Sequence, residues 1–195
     1  MKEIINVRFL GQCLPRNPGG IACYAFIIRS KEGHLLHEAC GLASETNSSP
    51  STSSTASYTA LIKALEWLLK NHYAKDIIKV YGNSKLIISQ INEGEVAGNN
   101  NENLISKNLL PLYSRVKKLS SKFYSISFDL GDDNNNKHID DREVEELSML
   151  AYVEAKMKIL EQSTNGNINS INYKNNQEQN KKLFSTAAEL MMAAK

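Results

Sequence analysis

Apolar and polar positions change their period several times along the 195 residues, and each change marks an element. Ile5, Val7 and Phe9 alternate with Asn6 and Arg8, so Ile4 to Leu10 has the period of two expected of a strand. Ile21 to Ser30 is a nearly continuous apolar run, the pattern of a strand covered on both faces. Lys31-Glu32-Gly33 then turns the chain into a third strand, about His34 to Gly41. Beyond a Ser/Thr-rich loop, Ser44 to Thr55, whose last residues cap helices well, the period lengthens. From Ala56 to Lys70, Tyr58, Leu61, Ile62, Leu65, Leu68 and Leu69 fall on one helical stripe. A short strand, Ile77 to Tyr81, is followed by Gly82-Asn83-Ser84 and a short helix to about Asn92. After a polar stretch, Glu93 to Asn103, a helix is expected at about Leu104–Ser120. It would turn Leu109, Tyr113, Val116 and Leu119 inward, with Phe123 just beyond, and Arg115, Lys117, Lys118 and Lys122 outward. Tyr124, Ile126, Phe128 and Leu130 then alternate with Ser125, Ser127 and Asp129 as a last strand, and a helix from about Asp141 to Gln162 closes the pattern.

That order is an α/β fold: three strands, helix, strand, two helices, strand, helix. Residues 163–180, STNGNINSINYKNNQEQN, are of low complexity and too polar to bury a core, so they read as a linker. The domain would then span residues 1–162, and residues 181–195 would be a short amphipathic C-terminal helix or a frayed tail. Hydrophobic residues at 42% and charged residues at 23% are ordinary for a globular chain. A net charge of +2 means that any nucleic-acid contact has to rest on local patches. The N-terminus lacks a signal-like apolar stretch and no run of about 18 apolar residues occurs, so a soluble, cytoplasmic protein without a membrane partner is expected. Cys13, Cys23 and Cys40 lack the CxxC spacing of a zinc site and are expected to be reduced, buried small apolar side chains. A disulfide between Cys13 and Cys23 across the first hairpin is conceivable in geometry alone. His34 and His37, three apart on a strand, would face opposite ways and share no metal.

The first hairpin carries the most specific signal. Asn17-Pro18-Gly19-Gly20 combines the fixed φ of proline with two residues free to adopt φ > 0. An NPGG loop between the first two strands resembles the opening hairpin of ribonuclease H in its compact archaeal and bacterial type-1 form. YTALIKALEWLL, Gly82-Asn83-Ser84 and EELSMLAY extend the resemblance over about residues 4–158. It implies a ribonuclease H-like fold: a mixed five-stranded sheet flanked by helices, here with a C-terminal extension.

The resemblance also implies a chemistry. The family cleaves the RNA strand of RNA–DNA hybrids with clustered carboxylates that hold two Mg²⁺ about 4 Å apart. Those acids come from the first strand, the first helix, the end of the fourth strand and the last helix. The matching positions here are Leu10, Ser57, Asn83 and Glu145. A hard cation needs oxygen donors, anionic ones to offset its charge, and leucine supplies none. No intact catalytic set and no bound metal are therefore expected, so the chain reads as a pseudo-enzyme. Asp129, Asp132, Asp133, Asp140 and Asp141 crowd the region before the last helix without the spacing of a calcium loop. They read as a solvated acidic loop, with a rebuilt metal site as the alternative.

On the substrate side, Arg16, Asn17, Ser53, Ser54, Ser84 and Lys85 match positions that touch the hybrid in the family. The functional expectation is binding of structured RNA, RNA–DNA hybrid or a nucleoprotein assembly without cleavage. A protein-interaction module on the same scaffold is the alternative from another class, and an active ribonuclease with a relocated metal site is a third.

Overall fold

A computed structural model describes residues 2–44, 51–93, 105–131 and 139–165. Asp132 and Asp133 of the acidic loop, and most of the linker and tail predicted over 163–195, lie outside the described residues. The chain divides into two units, Met1–Met157 and Lys158–Lys195. Only the start of the second, as far as Asn165, is described.

Five strands form one sheet: β1 (Ile4–Leu14), β2 (Ile21–Ser30), β3 (Leu35–Ser44), β4 (Ile77–Gly82) and β5 (Ser125–Leu130), in the order β3-β2-β1-β4-β5. β1 pairs antiparallel with β2 and β2 with β3, whereas β4 lies parallel to β1 and β5 parallel to β4. The helices are α1 (Ser53–Lys70), α2 (Lys85–Glu93), α3 (Leu110–Ser120) and α4 (Ile139–Asn165), with a 3-10 turn at Tyr73–Lys75. This is the mixed five-stranded sheet flanked by helices that the resemblance implied.

Most differences from the expected boundaries have local causes. β1 runs four residues past Leu10 because its ladder with β2 continues to the pair Leu14 and Ile21, right at the hairpin. α1 starts at Ser53 because Thr52, in extended conformation, accepts a hydrogen bond from the Thr55 amide at 3.0 Å and caps it. The third helix begins at Leu110, not near Leu104, with Pro111 in its first turn, where a missing amide proton costs nothing.

Strand alternation gives the sheet two unlike faces. Ile5, Val7 and Phe9 of β1 join Phe26, Ile78 and Val80 beneath α1, whose Tyr58, Leu61, Leu65 and Leu68 are fully buried. α3 adds Tyr113 and Val116 to this main core, and Leu109 and Leu119 pack against it half-buried. On the other face, α4 meets two smaller clusters: Leu10, Ala25, Ile27 and Val144, and farther along Ile21, Cys23, Ala151 and Ala155. The two faces also separate Cys13 from Cys23. Cys13 lies with Ala22 and Ala56 on the α1 side, Cys23 lies under α4, and all three cysteines are free thiols.

His37 departs from the expectation of a surface histidine. It stacks on Trp67 of α1 with ring centroids 4.6 Å apart and planes 4° from parallel, and Trp67 in turn stacks on Tyr73. Burial in this stack pushes the His37 imidazole below its ordinary value of 6.5, so the fold favours the neutral ring. The unfolded chain therefore binds a proton sooner than the native one as pH falls. The contribution of His37 should be fully present above about pH 6.5 and lost as pH drops through the lower native value. Urea midpoints measured between pH 7.5 and pH 5 should fall more steeply for the parent than for His37→Phe, which cannot titrate.

Candidate nucleic-acid interface

The positions singled out in the sequence gather where β1 and β4 finish their shared ladder. That ladder ends with Phe9 beside Gly82, so Asn83 leaves β4 level with Leu10. At the next residue of β1, Gly11 abuts the first turns of α1. A Cβ on Gly11 would lie 2.0 Å from the Ser57 backbone nitrogen, so only glycine lets strand and helix approach this closely. Val144 of α4 packs on Leu10, which brings the neighbouring Glu145 to the same corner. The four positions thus come from four elements to one end of the sheet.

Their side chains differ in kind. Leu10 is buried, 2% exposed, in the apolar cluster with Ala25, Ile27 and Val144. Ser57 is buried between strand and helix, Asn83 is exposed, and Glu145 is half-buried with a partner of its own.

The acids at the start of α4 are engaged in a way the sequence did not disclose. Arg8, two residues before Leu10 and on the same face of β1, is itself buried. Its Nη1 donates to Asp141 Oδ1 at 2.6 Å, and its Nε lies 3.7 Å from Asp140 Oδ2. Arg29 of β2 reaches the same turn, with Nε 2.9 Å from Asp140 Oδ1 and a hydrogen bond from Nη2 to Glu143 Oε2. The other side of the Arg8 guanidinium stacks on Tyr81, 4.9 Å from the ring centre. Asp140 and Asp141, expected in a solvated loop, are instead counter-ions of two arginines. Among the described residues, no group of three or more His, Cys, Asp or Glu is arranged to hold a metal ion. Arg8 was missed because Asn6-Val7-Arg8 reads as an ordinary alternating strand. Only the apolar run of β2 hinted that the polar face would be covered.

The substrate-side residues form two groups at this end of the sheet. The hairpin loop is sewn to the start of α1: the Asn17 amide nitrogen donates to Ser53 Oγ at 2.8 Å, and Asn17 Oδ1 accepts from the Ser53 backbone at 3.2 Å. The Gly19 amide donates to the Ser51 carbonyl at 2.9 Å, and Ser51 Oγ donates to the Gly20 carbonyl. Gly19 holds φ +91, a conformation that suits glycine. Arg16 is exposed on this loop, and Ser54 follows half-buried in α1. In the second group, Ser84 Oγ accepts from the Ile87 amide at 3.4 Å at the head of α2, and Lys85 beside it is exposed. Neither α1 nor α2 carries an acidic residue in its first turn, so both positive helix ends are left without a carboxylate from their own turn.

Comparison with known proteins agrees with this architecture. Residues 16–141 match the family described as reverse transcriptase-like, which is well over half of the chain. Among solved structures, RNase H1 of the halophilic archaeon Halobacterium salinarum aligns with a TM-score of 0.59 and 22% identity, over 77% of this chain and 98% of that one. The N-terminal RNase H domain of a Mycobacterium tuberculosis protein, solved as a fusion with maltose-binding protein, aligns with a TM-score of 0.64 and 20% identity, over 81% and 99%. LC11-RNase H1, solved in complex with an RNA/DNA hybrid, gives a TM-score of 0.58 and 22% identity, over 75% and 98%. At these identities the structural likeness speaks for the fold, and the family match speaks for descent. The chain belongs to the reverse transcriptase-like family and has a ribonuclease H-like fold.

Proposed function

We propose that this protein is a non-hydrolytic member of its family that binds a nucleic-acid duplex of A-like geometry, an RNA duplex or an RNA–DNA hybrid, on the face where β1 and β4 end. The observation that carries the reading is Leu10. At the centre of the corner stands a buried leucine packed on Ala25, Ile27 and Val144, where two-metal hydrolysis would need an anionic ligand. Among the described residues of the corner, the remaining donors do not fit a pair of divalent cations. Ser57 and Asn83 are neutral, Glu145 is a single carboxylate, and Asp140 and Asp141 already neutralise Arg8 and Arg29.

Binding asks less of the site. Two helix N-termini with acid-free first turns, flanked by Arg16 and Lys85, offer positive charge suited to phosphate. An apolar residue in place of an acid also removes a source of repulsion. Asn17 and Ser53 act here as a pair that fixes the hairpin loop against α1, so they set the spacing of the two patches. LC11-RNase H1, which shares the fold, has been solved with a hybrid bound, which makes a duplex ligand the natural first probe. A protein-docking role on the same scaffold would lead if duplexes fail to bind.

Hydrolysis is tested first. With excess protein and Mg²⁺ or Mn²⁺, a labelled RNA–DNA hybrid should stay intact on a gel. Metal-dependent cleavage that disappears in Glu145→Ala would overturn the non-hydrolytic reading. Leu10→Asp alone should not restore cleavage. It should cost about 2–4 kcal/mol in urea unfolding, because it places a carboxylate among buried apolar side chains.

Binding is tested by fluorescence anisotropy on matched hybrid, RNA and DNA duplexes at several salt concentrations. Affinity should favour hybrid and RNA over DNA and weaken steeply with salt. Replacing Arg16 and Lys85 together by alanine should lower the log–log salt slope by roughly 2, one counterion per lost phosphate contact. Asn17→Ala should weaken binding by loosening the loop and leave the slope nearly unchanged, since a neutral group releases no counterion. Weak binding that ignores both backbone type and these substitutions would remove the nucleic-acid reading.

A further inference from the structure

The two faces of the sheet are held by different physics. On the α1 side, large side chains interlock in one continuous core, with Phe9, Phe26 and Tyr58 among them. On the α4 side, burial is divided between two small clusters in which alanines do much of the packing, Ala25 in one, Ala151 and Ala155 in the other. Hydrophobic stabilisation scales with apolar area, so the α4 layer gains less from it.

That layer also contains polar atoms left unpaired. Ser148, fully buried on α4 between Val144 and Ala151, has no hydrogen-bond partner for its Oγ. Gln12, on the same face of β1 as Leu10, has a buried Oε1 without a partner. Each raises the free energy of the closed arrangement relative to one in which water can reach it. At the head of the helix lies an ionic cluster, where Arg8 and Arg29 reach from the sheet to Asp140, Asp141 and Glu143.

We propose that the part of α4 within the first unit is a separately releasable layer, latched to the sheet at its N-terminal end by the Arg8–Asp141 and Arg29–Asp140–Glu143 ion pairs. Opening the latch lifts α4, and Glu145 with it, from the corner at Leu10 while α1 and the main core stay folded. The latch therefore decides whether the α4 wall of the proposed binding face is in place. The device does not depend on what that face binds, because every contact it uses lies beneath α4.

The chain carries its own reporters. Cys23, 1% exposed, lies against Ala151 and Ala155, and burial pushes its thiol up to about 11, so the closed form is inert to alkylation. Cys13, also buried, lies on the α1 side and can be reached only if the main core or the hairpin gives way. In the full-length protein, N-ethylmaleimide labelling of each cysteine is followed by peptide mass spectrometry without denaturant. Amide exchange is measured in parallel on α4 and α1.

Cys23 should label at least about tenfold faster than Cys13, and α4 amides should exchange before those of α1. Arg29→Met removes one cation of the cluster, taking from Asp140 its 2.9 Å contact and from Glu143 its ion pair, and should raise the Cys23 rate by about tenfold or more, leaving Cys13 unchanged. Adding Asp140→Asn to it, which brings the cluster back towards charge balance, should take back part of the rise. Should Arg29→Met fold poorly, Glu143→Gln at the more exposed edge of the cluster should give a smaller rise of the same kind. Equal labelling of Cys23 and Cys13, both tracking global unfolding, would overturn the proposal. So would a Cys23 rate that neither Arg29→Met nor Glu143→Gln moves.

Discussion

The structure depends on β1 being buried on both of its faces. It is the middle strand of five, antiparallel to β2 on one side and parallel to β4 on the other. One face supplies Ile5, Val7 and Phe9 to the main core, and nothing unusual is needed there. The other face carries Arg8 and Leu10, and a buried guanidinium must be paired where it lies or destabilise the fold by several kcal/mol. The first turn of α4 meets that demand with Asp140 and Asp141, and Arg29 of the neighbouring strand extends the network to Glu143. The placement of α4 is thus tied to a charge on β1.

This pairing bears directly on chemistry. Three carboxylates near the start of α4, Asp140, Asp141 and Glu143, are already ion-paired with Arg8 and Arg29. Leu10 between them and the strand end is satisfied by apolar neighbours. The corner is therefore electrostatically closed in its lower part. The heads of α1 and α2 carry no acid in their first turns and stand beside Arg16 and Lys85.

The loop at Asn17 shows how local chemistry sets the geometry of that face. Its hydrogen bonds to Ser53 and Ser51 join the β-hairpin to the helix that follows β3, elements far apart in sequence. Together with the approach of Gly11 to Ser57, they make hairpin and helix head one rigid piece. Both backbone and side-chain bonds hold it: Gly19 to Ser51 through the main chain, and Asn17 to Ser53 through the amide side chain.

By itself, the sequence determined the elements and their order, because periodicity is a local property. The alternation of Tyr124 to Leu130, the stripe from Tyr58 to Leu68 and the turn chemistry of Asn17 to Gly20 each report their own structure without reference to the rest. The four corner positions came from the resemblance to ribonuclease H, carried by short motifs such as Gly82-Asn83-Ser84 and EELSMLAY. What only the tertiary structure decided is which polar residues are inside. Arg8, Asp140 and Asp141 read as solvated because nothing local tells an alternating strand with one covered face from one with two. His37 read as a surface residue because its partner, Trp67, lies thirty residues on. Burial of a charge is decided by its partner across the fold, and pairings of such long range leave no periodic trace in the chain.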